Sequence, residues 1–360
     1  MPAVQKLTIT GYKSIRELRD FELRNLNVLI GANGAGKSNF IGVFRMLAEL
    51  LGGRFQSFVQ REGGPDALLH YSRQVTDRIV AEFYFGDVDM YCVNLAPTKD
   101  NRLVFDEEFL GSQNHATPAR LHYTRTSDES QAARLNGTLK SLVDAAFAST
   151  RVYHFHDTSA TAKVKQLHSR DDTLRLKNDG SNLAAYLQML RVGHPAQYET
   201  IVRTIRLAAP FFDDFVDRPH ASTRIQLEWL EKGDPDTPFN AHALSDGTLR
   251  FICLCTLLLQ PWNLMPETIL IDEPELGLHP YAIALLADLI KRAAERKQLV
   301  VSTQSVELIN LMAPEDIVVV DRRDNASTFQ RLDSASLEHW LDDYSLGQLW
   351  NMNVLGGRPA

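Results

Sequence analysis

One short segment restricts what this chain can fold into more than any other feature. The pattern G-x-x-x-x-G-K-[S/T] is fulfilled by Gly31, Ala32, Asn33, Gly34, Ala35, Gly36, Lys37 and Ser38. The segment follows an apolar run, Leu26 to Gly31, that predicts a strand, and it precedes apolar residues at helical spacing through Leu51. A glycine turn between a strand and a helix directs several backbone N–H groups into one concavity, which is a binding site for phosphate groups.

The side chains at the end of this turn have defined roles in such a site. Lys37 reaches the β- and γ-phosphates of a nucleotide, and the Ser38 hydroxyl is a ligand for Mg²⁺. Together with Asn39, the eight residues are therefore predicted to bind ATP, with Mg²⁺ as its ion. A chance match in an ordinary glycine turn is disfavoured by the strand before it and the helix after it.

A second apolar strand ends in two acids. It runs from Thr268 to Ile271 and is followed by Asp272 and Glu273. Asp272 is predicted to hold Mg²⁺, and Glu273 to orient or deprotonate the attacking water. A solvated strand end would also explain two acids here, but their combination with a phosphate-binding turn in one chain favours the catalytic interpretation.

The composition limits the class of protein. The chain has 360 residues, of which 44% are hydrophobic and 23% charged, as expected for a globular protein. An apolar run of about 18 residues and a secretory signal are both missing, and three cysteines are too few for a disulfide framework, so a cytoplasmic location without a membrane segment is predicted. The net charge of −7 does not support binding of nucleic acid by bulk charge, although a local basic groove stays open.

The order of the apolar patterns predicts an α/β fold. After Leu244, helices and strands alternate, which indicates a parallel sheet covered by helices. Short alternating segments between about Ile79 and Arg125 indicate an antiparallel sheet. Helical patterns with one short strand, RVYHFHD, dominate from about Gly137 to Arg218. The predicted division is an N-terminal part (1–135), an inserted, mainly helical lobe (136–223) and a C-terminal part (224–360).

A second turn of the phosphate-binding kind lies before the acidic strand. It consists of Leu244, Ser245, Asp246, Gly247 and Thr248. Serine and glycine at a helix N-terminus form an anion site, and its place about two dozen residues before Asp272 makes the chain resemble the ABC ATPase superfamily, whose signature is LSGGQ. The resemblance implies an ABC ATPase head in which Ser245 and Gly247 contact the γ-phosphate held by the P-loop of another protomer. It therefore implies an ATP-dependent homodimer.

Two more segments extend the resemblance. Glu275 to Pro280 looks like the D-loop region of RecF-like and OLD-like ATPases, and Ser302 to Ser305 takes the place of the switch loop. Family members usually have histidine where this chain has Gln304, which we assign to catalysis. Glutamine donates a hydrogen bond to phosphate but carries no positive charge. The resemblance thus implies slow turnover, or turnover that waits for an activator.

Two further segments have open interpretations. Gly11 to Ile15 resembles the segment before the P-loop in SMC and RecF heads, where Lys13 and Arg16 would approach the nucleotide, but both are equally explained as exposed charges. A Q-loop glutamine is not evident. His156 and Asp157, after the strand RVYHFHD, could face the metal ion or water. A zinc site is the rival idea, although H-x-H without further ligands is weak, and ordinary strand-end polar residues are the favoured interpretation.

The spacing of the motifs selects a branch of the superfamily. Roughly two hundred residues separate Ser38 from Leu244, and transporter ATPases have their signature at about half that distance. SMC proteins need far longer coiled coils. OLD-type nucleases carry a C-terminal Toprim domain, whereas fewer than forty residues follow Asp321. The chain most resembles stand-alone ATPases of the RecF/OLD-like group, related to SMC heads and of the AAA_21 type.

This resemblance implies an ATP-driven dimerisation switch in DNA repair or anti-phage defence. A separate effector protein, such as a Toprim-like nuclease, would then carry the nuclease chemistry, and DNA is a further partner that the sequence leaves open. Two alternatives remain: an ATP-binding regulatory module with negligible turnover, and an ABC transporter ATPase subunit, against which the spacing speaks.

Overall fold

The structure is a computed structural model that describes residues 4–85, 89–112, 127–132, 150–218 and 222–357. Its strands are β1 Val4–Tyr12, β2 Ile15–Glu22, β3 Leu26–Ile30, β4 Ile79–Phe85, β5 Asp89–Pro97, β6 Leu103–Ser112, β7 Thr150–Tyr153, β8 His168–Ser169, β9 Phe212–Phe215, β10 Arg224–Ile225, β11 Glu228–Glu231, β12 Asp234–Asn240, β13 Thr268–Asp272, β14 Gln298–Thr303, β15 Ile317–Arg323 and β16 Ala326–Arg331. Its α-helices are α1 Lys37–Leu51, α2 Phe55–Arg61, α3 Pro65–Leu68, α4 Leu183–Gly193, α5 Pro195–Ala208, α6 Asp246–Leu259, α7 Pro280–Ala294, α8 Val306–Asn310, α9 Ser334–Leu341 and α10 Leu346–Asn351. Within these residues, no helix combines the length and the apolar character needed to cross a bilayer.

The central sheet has the strand order β16-β15-β3-β14-β13-β7. Adjacent strands in this sheet pair in parallel, except that β15 and β16 form an antiparallel hairpin. Residues along a strand alternate between the two faces, so Val28 and Ile30 of β3 pack into the core formed with α4 to α8, whereas Leu29 packs into a second core. The predicted parallel, helix-covered sheet is confirmed.

The second core lies between the central sheet, α1 and an antiparallel sheet. That sheet has the order β2-β1-β4-β5-β6, and its inward side chains, such as Ile9, Phe83 and Val93, are fully buried against Phe40 and Phe44 of α1. The antiparallel sheet predicted from the alternating segments is thereby confirmed. One of those segments, ARLHYTR, lies outside the described residues.

The strand within the predicted helical lobe belongs to the central sheet. β7 pairs in parallel with β13, from Thr150 opposite Thr268 to Tyr153 opposite Ile271. Helices α4 and α5 follow it and share one core with α6, together with a small sheet of order β12-β11-β9. The predicted helix TLKSLVDAAFAS lies outside the described residues, and the division at 135 and 223 stays a prediction.

Candidate functional site

The glycine turn after β3 is fitted closely against the hairpin of β15 and β16. Gly31, Gly34 and Gly36 have φ values of 154°, 78° and 121°, which residues with a Cβ rarely adopt. A Cβ atom on Gly31 would lie 2.1 Å from the carbonyl oxygen of Val320, and one on Gly36 would lie 2.1 Å from Ser327 Oγ. Glycine is therefore required here both for the backbone conformation and for space.

Lys37 begins α1 and is buried under this turn. Its Nζ donates to the carbonyl oxygens of Gly31, at 2.6 Å, and Ala32, at 3.1 Å. Burial lowers the pKa of Lys37, while the charges of Glu273 and Asp272 oppose that shift. Among the described residues, the hydrogen-bond partners of the ammonium are two carbonyl oxygens, which the more strongly accepting oxygens of a phosphate can replace.

Three polar side chains form hydrogen bonds beside the turn, and of these the sequence analysis assigned only Asn39 to the site. Asn39 Nδ2 donates to Ser14 Oγ at 2.6 Å. The Ser327 hydroxyl is 2.6 Å from Ser14 Oγ and also contacts the carbonyl of Ala35, whereas Asn33 is exposed. In this structure Asn39 therefore positions the turn, and its predicted contact with a nucleotide stays a prediction. Isolated serines carry no sequence signal that would have identified them.

The C-terminal segment also contacts the turn. The Ala32 N–H donates to the carbonyl oxygen of Gly357 at 2.7 Å. A Cβ atom on Gly357 would lie 3.4 Å from the Cα of Gly31. The first residues of the phosphate-binding turn are therefore held by a segment more than three hundred positions away in the sequence.

The two predicted Mg²⁺ ligands lie together. Ser38 Oγ donates to Asp272 Oδ2 at 3.3 Å. The register of β13 and β14 places Ser302 beside Asp272, and the Ser302 hydroxyl donates to Asp272 Oδ1. Hydroxyl and carboxylate oxygens are donors that a hard divalent cation prefers, so this donor set fits Mg²⁺.

The predicted catalytic residues Glu273 and Gln304 contact each other. Gln304 Nε2 donates to Glu273 Oε1 at 2.5 Å. The Glu273 backbone has a φ of 41° and its N–H donates to the Ser302 carbonyl at 2.8 Å. For a residue other than glycine, a left-handed backbone conformation costs about 1 kcal/mol or more of folding free energy, and residues in this conformation concentrate at functional sites. The carboxylate is thus held in a fixed direction by both its backbone and Gln304.

Glu275 connects the D-loop region to the switch loop. Its Oε1 accepts from Thr303 Oγ1 at 2.6 Å and from the Gln304 N–H at 3.2 Å. Its Oε2 is buried without a hydrogen-bond partner among the described residues. Burial raises the pKa of Glu275, and the nearby charge of Glu273 raises it further. Glu275 thus fixes the position of Gln304, which in turn contacts Glu273.

The signature turn is placed at the start of α6. Ser245 is the exposed N-cap, and its Oγ accepts from the Thr248 N–H at 3.2 Å. A Cβ atom on Gly247 would lie 2.2 Å from the carbonyl oxygen of Gly277. Together with Phe251, these residues border a cavity of about 140 Å³. The contacts of Ser245 and Gly247 in the described part of one protomer are with the D-loop region and their own helix, and their predicted contact with a partner's nucleotide stays a prediction.

We expect Gly247→Ala to destabilise the protein, because its Cβ would overlap the Gly277 carbonyl. Overpacking of this kind costs about 1–3 kcal/mol. The matched control is Gly193→Ala, also at a helical position, where an added Cβ meets no described atom within 4 Å; its effect should stay within about 1 kcal/mol. Urea unfolding of both variants measures the difference, and equal stabilities would contradict the close approach.

Arg250, one turn into α6, is a buried contact that the sequence did not indicate. Its Nε donates to the Phe155 carbonyl at 3.0 Å and its Nη2 to the His156 carbonyl at 3.2 Å. Burial lowers the pKa of Arg250. The guanidinium thus links α6 to the loop after β7.

The loop after β7 lies beside Asp272. The carboxylate of Asp272 and the rings of His154 and His156 have ligand atoms that all lie within 4.8 Å of one another. His154 Nε2 is 2.6 Å from Arg45 Nη2; burial first, and then the guanidinium, lower the pKa of His154 to about 4. Asp157 is exposed and accepts instead from Ser159 Oγ at 2.7 Å. The sequence offered both histidines as an H-x-H pair but did not indicate Asp272 as a third group beside them. The two-residue period of an extended segment places both rings on one face.

Lys13 and Arg16 have different surroundings. The Lys13 ammonium forms an ion pair with Glu62 at 2.6 Å, and Arg16 is exposed. Their predicted approach to a nucleotide stays a prediction.

The fold and the motifs together define an ATPase head of the ABC/SMC type. The family profile described as "AAA domain, putative AbiEii toxin, Type IV TA system" matches residues 26–310. The chain therefore belongs to this AAA_21 family. No curated protein matches it.

Solved structures of SMC heads share the fold. The SmcHead bound to the C-winged helix domain of ScpA is 18% identical, with a TM-score of 0.61 over 93% of this chain and 99% of that chain. The Pyrococcus furiosus Smc head with an extended coiled coil, bound to the C-terminal domain of ScpA, is 16% identical, with a TM-score of 0.58 over 95% and 99%. The Pyrococcus yayanosii Smc head with a coiled coil and joint is 12% identical, with a TM-score of 0.57, and the match covers 95% of this chain and 99% of that chain. At these identities the likeness is one of fold.

Proposed function

We propose that this protein is an ATP-hydrolysing dimerisation switch. The observation that carries the proposal is the hydrogen-bonded set at the carboxyl ends of β13 and β14, which joins Ser38 to Asp272 and Gln304 to Glu273. Lys37 of the P-loop, which donates to two carbonyl oxygens, lies within the electrostatic field of these acids. This is the arrangement needed to bind a nucleotide and to activate a water molecule beside it.

Each residue then has a distinct task. Lys37 and the N–H groups of the turn bind the phosphates, and Ser38 and Asp272 bind the ion. Mg²⁺, when bound, neutralises charge on the phosphate oxygens. Glu273 accepts a proton from the attacking water, and Gln304 keeps its carboxylate in place.

The second half of each site comes from a partner protomer. Ser245 is exposed at the start of α6, where its backbone and hydroxyl are available to a phosphate outside its own chain. A C2 dimer would pair each P-loop with the Ser245 turn of the other copy. ATP would then hold the two protomers together, and hydrolysis would release them.

The biological role that we propose is supported by the resemblance to RecF/OLD-like ATPases. We propose a cytoplasmic ATPase in DNA repair or anti-phage defence that acts on a separate effector, such as a Toprim-like nuclease. Smc heads of this fold are crystallised with domains of the partner protein ScpA, which supports a protein partner here. Binding of DNA is left to experiment, since the net charge of −7 gives it no general support.

A regulatory module with negligible turnover is the second candidate. The neutral Gln304 favours it, because glutamine cannot supply the positive charge that histidine brings to the phosphate. In that case ATP would still bind and still drive dimerisation, and phosphate release would stay at the background rate.

Complementation between two inactive variants tests the composite site. Lys37→Met removes the phosphate ligand, and Ser245→Arg blocks the turn offered to the partner. A mixed dimer of the two variants keeps one intact site, so we expect each variant alone to be inactive and the mixture to recover about a quarter of the wild-type rate, since half the dimers are mixed and each has one of two sites. Circular dichroism controls for folding.

An unrestored mixture, together with an ATP-bound protein that stays monomeric in light scattering, would refute the shared site. A dimer that forms with ATP but releases no phosphate would instead establish the regulatory module.

A further inference from the structure

Two histidines occupy the side of Asp272 that faces away from β14. β7 and β13 are parallel, with Tyr153 opposite Ile271, so the next position of each strand brings His154 beside Asp272. The chain continues in an extended path, in which residues two apart share a face. Phe155 is buried in the core, whereas His154 and His156 are both partly exposed and lie near Asp272.

The distances are close to those of a bound ion. One nitrogen from each imidazole and one carboxylate oxygen of Asp272 lie within 4.8 Å of one another. Ligand atoms about 2.0–2.2 Å from a shared ion are at most about 4.4 Å apart, so the three groups lie near the separation at which they can share one ion. Ser38 Oγ, 3.3 Å from Asp272 Oδ2, adds a nearby oxygen.

The two nitrogens change which ion this site prefers. Mg²⁺ is bound through oxygen and is held poorly by imidazole, whereas Mn²⁺, Co²⁺ and Zn²⁺ accept mixed nitrogen and oxygen ligands. We propose that His154, His156 and Asp272 form a binding site for a divalent transition-metal ion at the nucleotide pocket. The inference rests on the proposed function only in that Asp272 is shared between the two, and it concerns the nucleotide-free protein; with ATP bound, Mg²⁺ is held through the oxygens of Ser38 and Asp272.

Arg45 competes with such an ion. A guanidinium only donates, so the 2.6 Å contact from Arg45 Nη2 occupies the lone pair of His154 Nε2. A neutral imidazole has one free lone pair, and a metal bond to either nitrogen of His154 therefore requires Arg45 to release it. Removal of Arg45 should strengthen metal binding, which is opposite to the effect expected for removal of a histidine.

Titration with Co²⁺ alone, without nucleotide, tests the site. The visible d–d absorption of Co²⁺ reports nitrogen ligation, and calorimetry gives the Kd. Because changes in the groups around metal ligands already cost about 10–100-fold in affinity, His154→Asn and His156→Asn should each weaken Co²⁺ binding by about 100-fold or more. Arg45→Met should bind Co²⁺ more tightly than the wild type, and the exposed His339→Asn should match the wild type.

The outcomes separate this inference from the proposed function. Equal Co²⁺ affinity in the wild type and both histidine variants, or displacement of Co²⁺ by an equal concentration of Mg²⁺, overturns it. If a histidine variant fails to fold, as seen by circular dichroism, Arg45→Met decides alone, and unchanged or weaker Co²⁺ binding in that variant overturns the site. Complementation of Lys37→Met with Ser245→Arg is measured independently, so either result can fail without the other.

Discussion

Glu273→Gln should abolish phosphate release while leaving ATP bound. The substitution keeps the shape of the side chain and an oxygen that can accept from Gln304 Nε2, now 2.5 Å from Glu273 Oε1. It removes the carboxylate that would take a proton from water. Loss of a positioned general base lowers a rate by about 10²–10⁴-fold, and we expect that reduction here.

The same variant should accumulate the closed dimer. If hydrolysis releases the protomers, a protein that cannot hydrolyse ATP stays paired, and light scattering after chromatography should show a dimer with ATP and a monomer without it. Glu295→Gln, an exposed acid that follows α7, is the matched control and should behave as the wild type. Turnover at the wild-type rate in Glu273→Gln would remove Glu273 from the catalytic role.

Lys37→Met should weaken ATP binding by about 10–100-fold, because hydrogen bonds to charged groups contribute about 1.5–3 kcal/mol. The methionine keeps the length of the apolar stem and loses the ammonium. Isothermal titration with ATP measures the change, and the exposed Lys291→Met on α7 is the control.

Lys37→Met should change the stability of the protein much less than its affinity for ATP. Lys37 is buried, and burial lowers its pKa, so its charge has a desolvation cost that offsets the hydrogen bonds to Gly31 and Ala32. We therefore expect thermal unfolding without nucleotide to change little. A large loss of stability together with unchanged ATP affinity would show that Lys37 is structural.

The sequence predicted those features whose chemistry has a local signature. The strand, turn and helix around Lys37 were predictable because hydrophobic periodicity and glycine placement act over a few residues. The parallel sheet followed from the alternation of helices and strands after Leu244. Asp272 and Glu273 were recognisable because two acids at the end of a buried strand, in a chain that also has a P-loop, are typical of a nucleotide-hydrolysing site.

Contacts between segments that are far apart in the sequence could not be predicted from it. The nearness of His154 to Asp272 could not be predicted, because the sheet register and not the local pattern brings β7 beside β13. Ser14, in the turn between β1 and β2, and Ser327, in β16, support the turn from far apart in the sequence, and common serines give no signal in a single sequence. The close approach of Gly247 to Gly277 depends likewise on how a helix start meets a loop.

The strands that pair with β3 determine when the central sheet can form during synthesis of the chain. This strand leads into the phosphate-binding turn, yet its partners β14 and β15 begin at Gln298 and Ile317, and the turn itself is held by Gly357. On the ribosome, the motif around Lys37 therefore waits, unpaired, until these distant segments have been synthesised. Such long-range pairing folds slowly and exposes apolar strands meanwhile. We therefore expect the proposed nucleotide site to be completed late, and a prematurely terminated chain that ends after Ser305 to bind ATP more weakly than the full chain in isothermal titration.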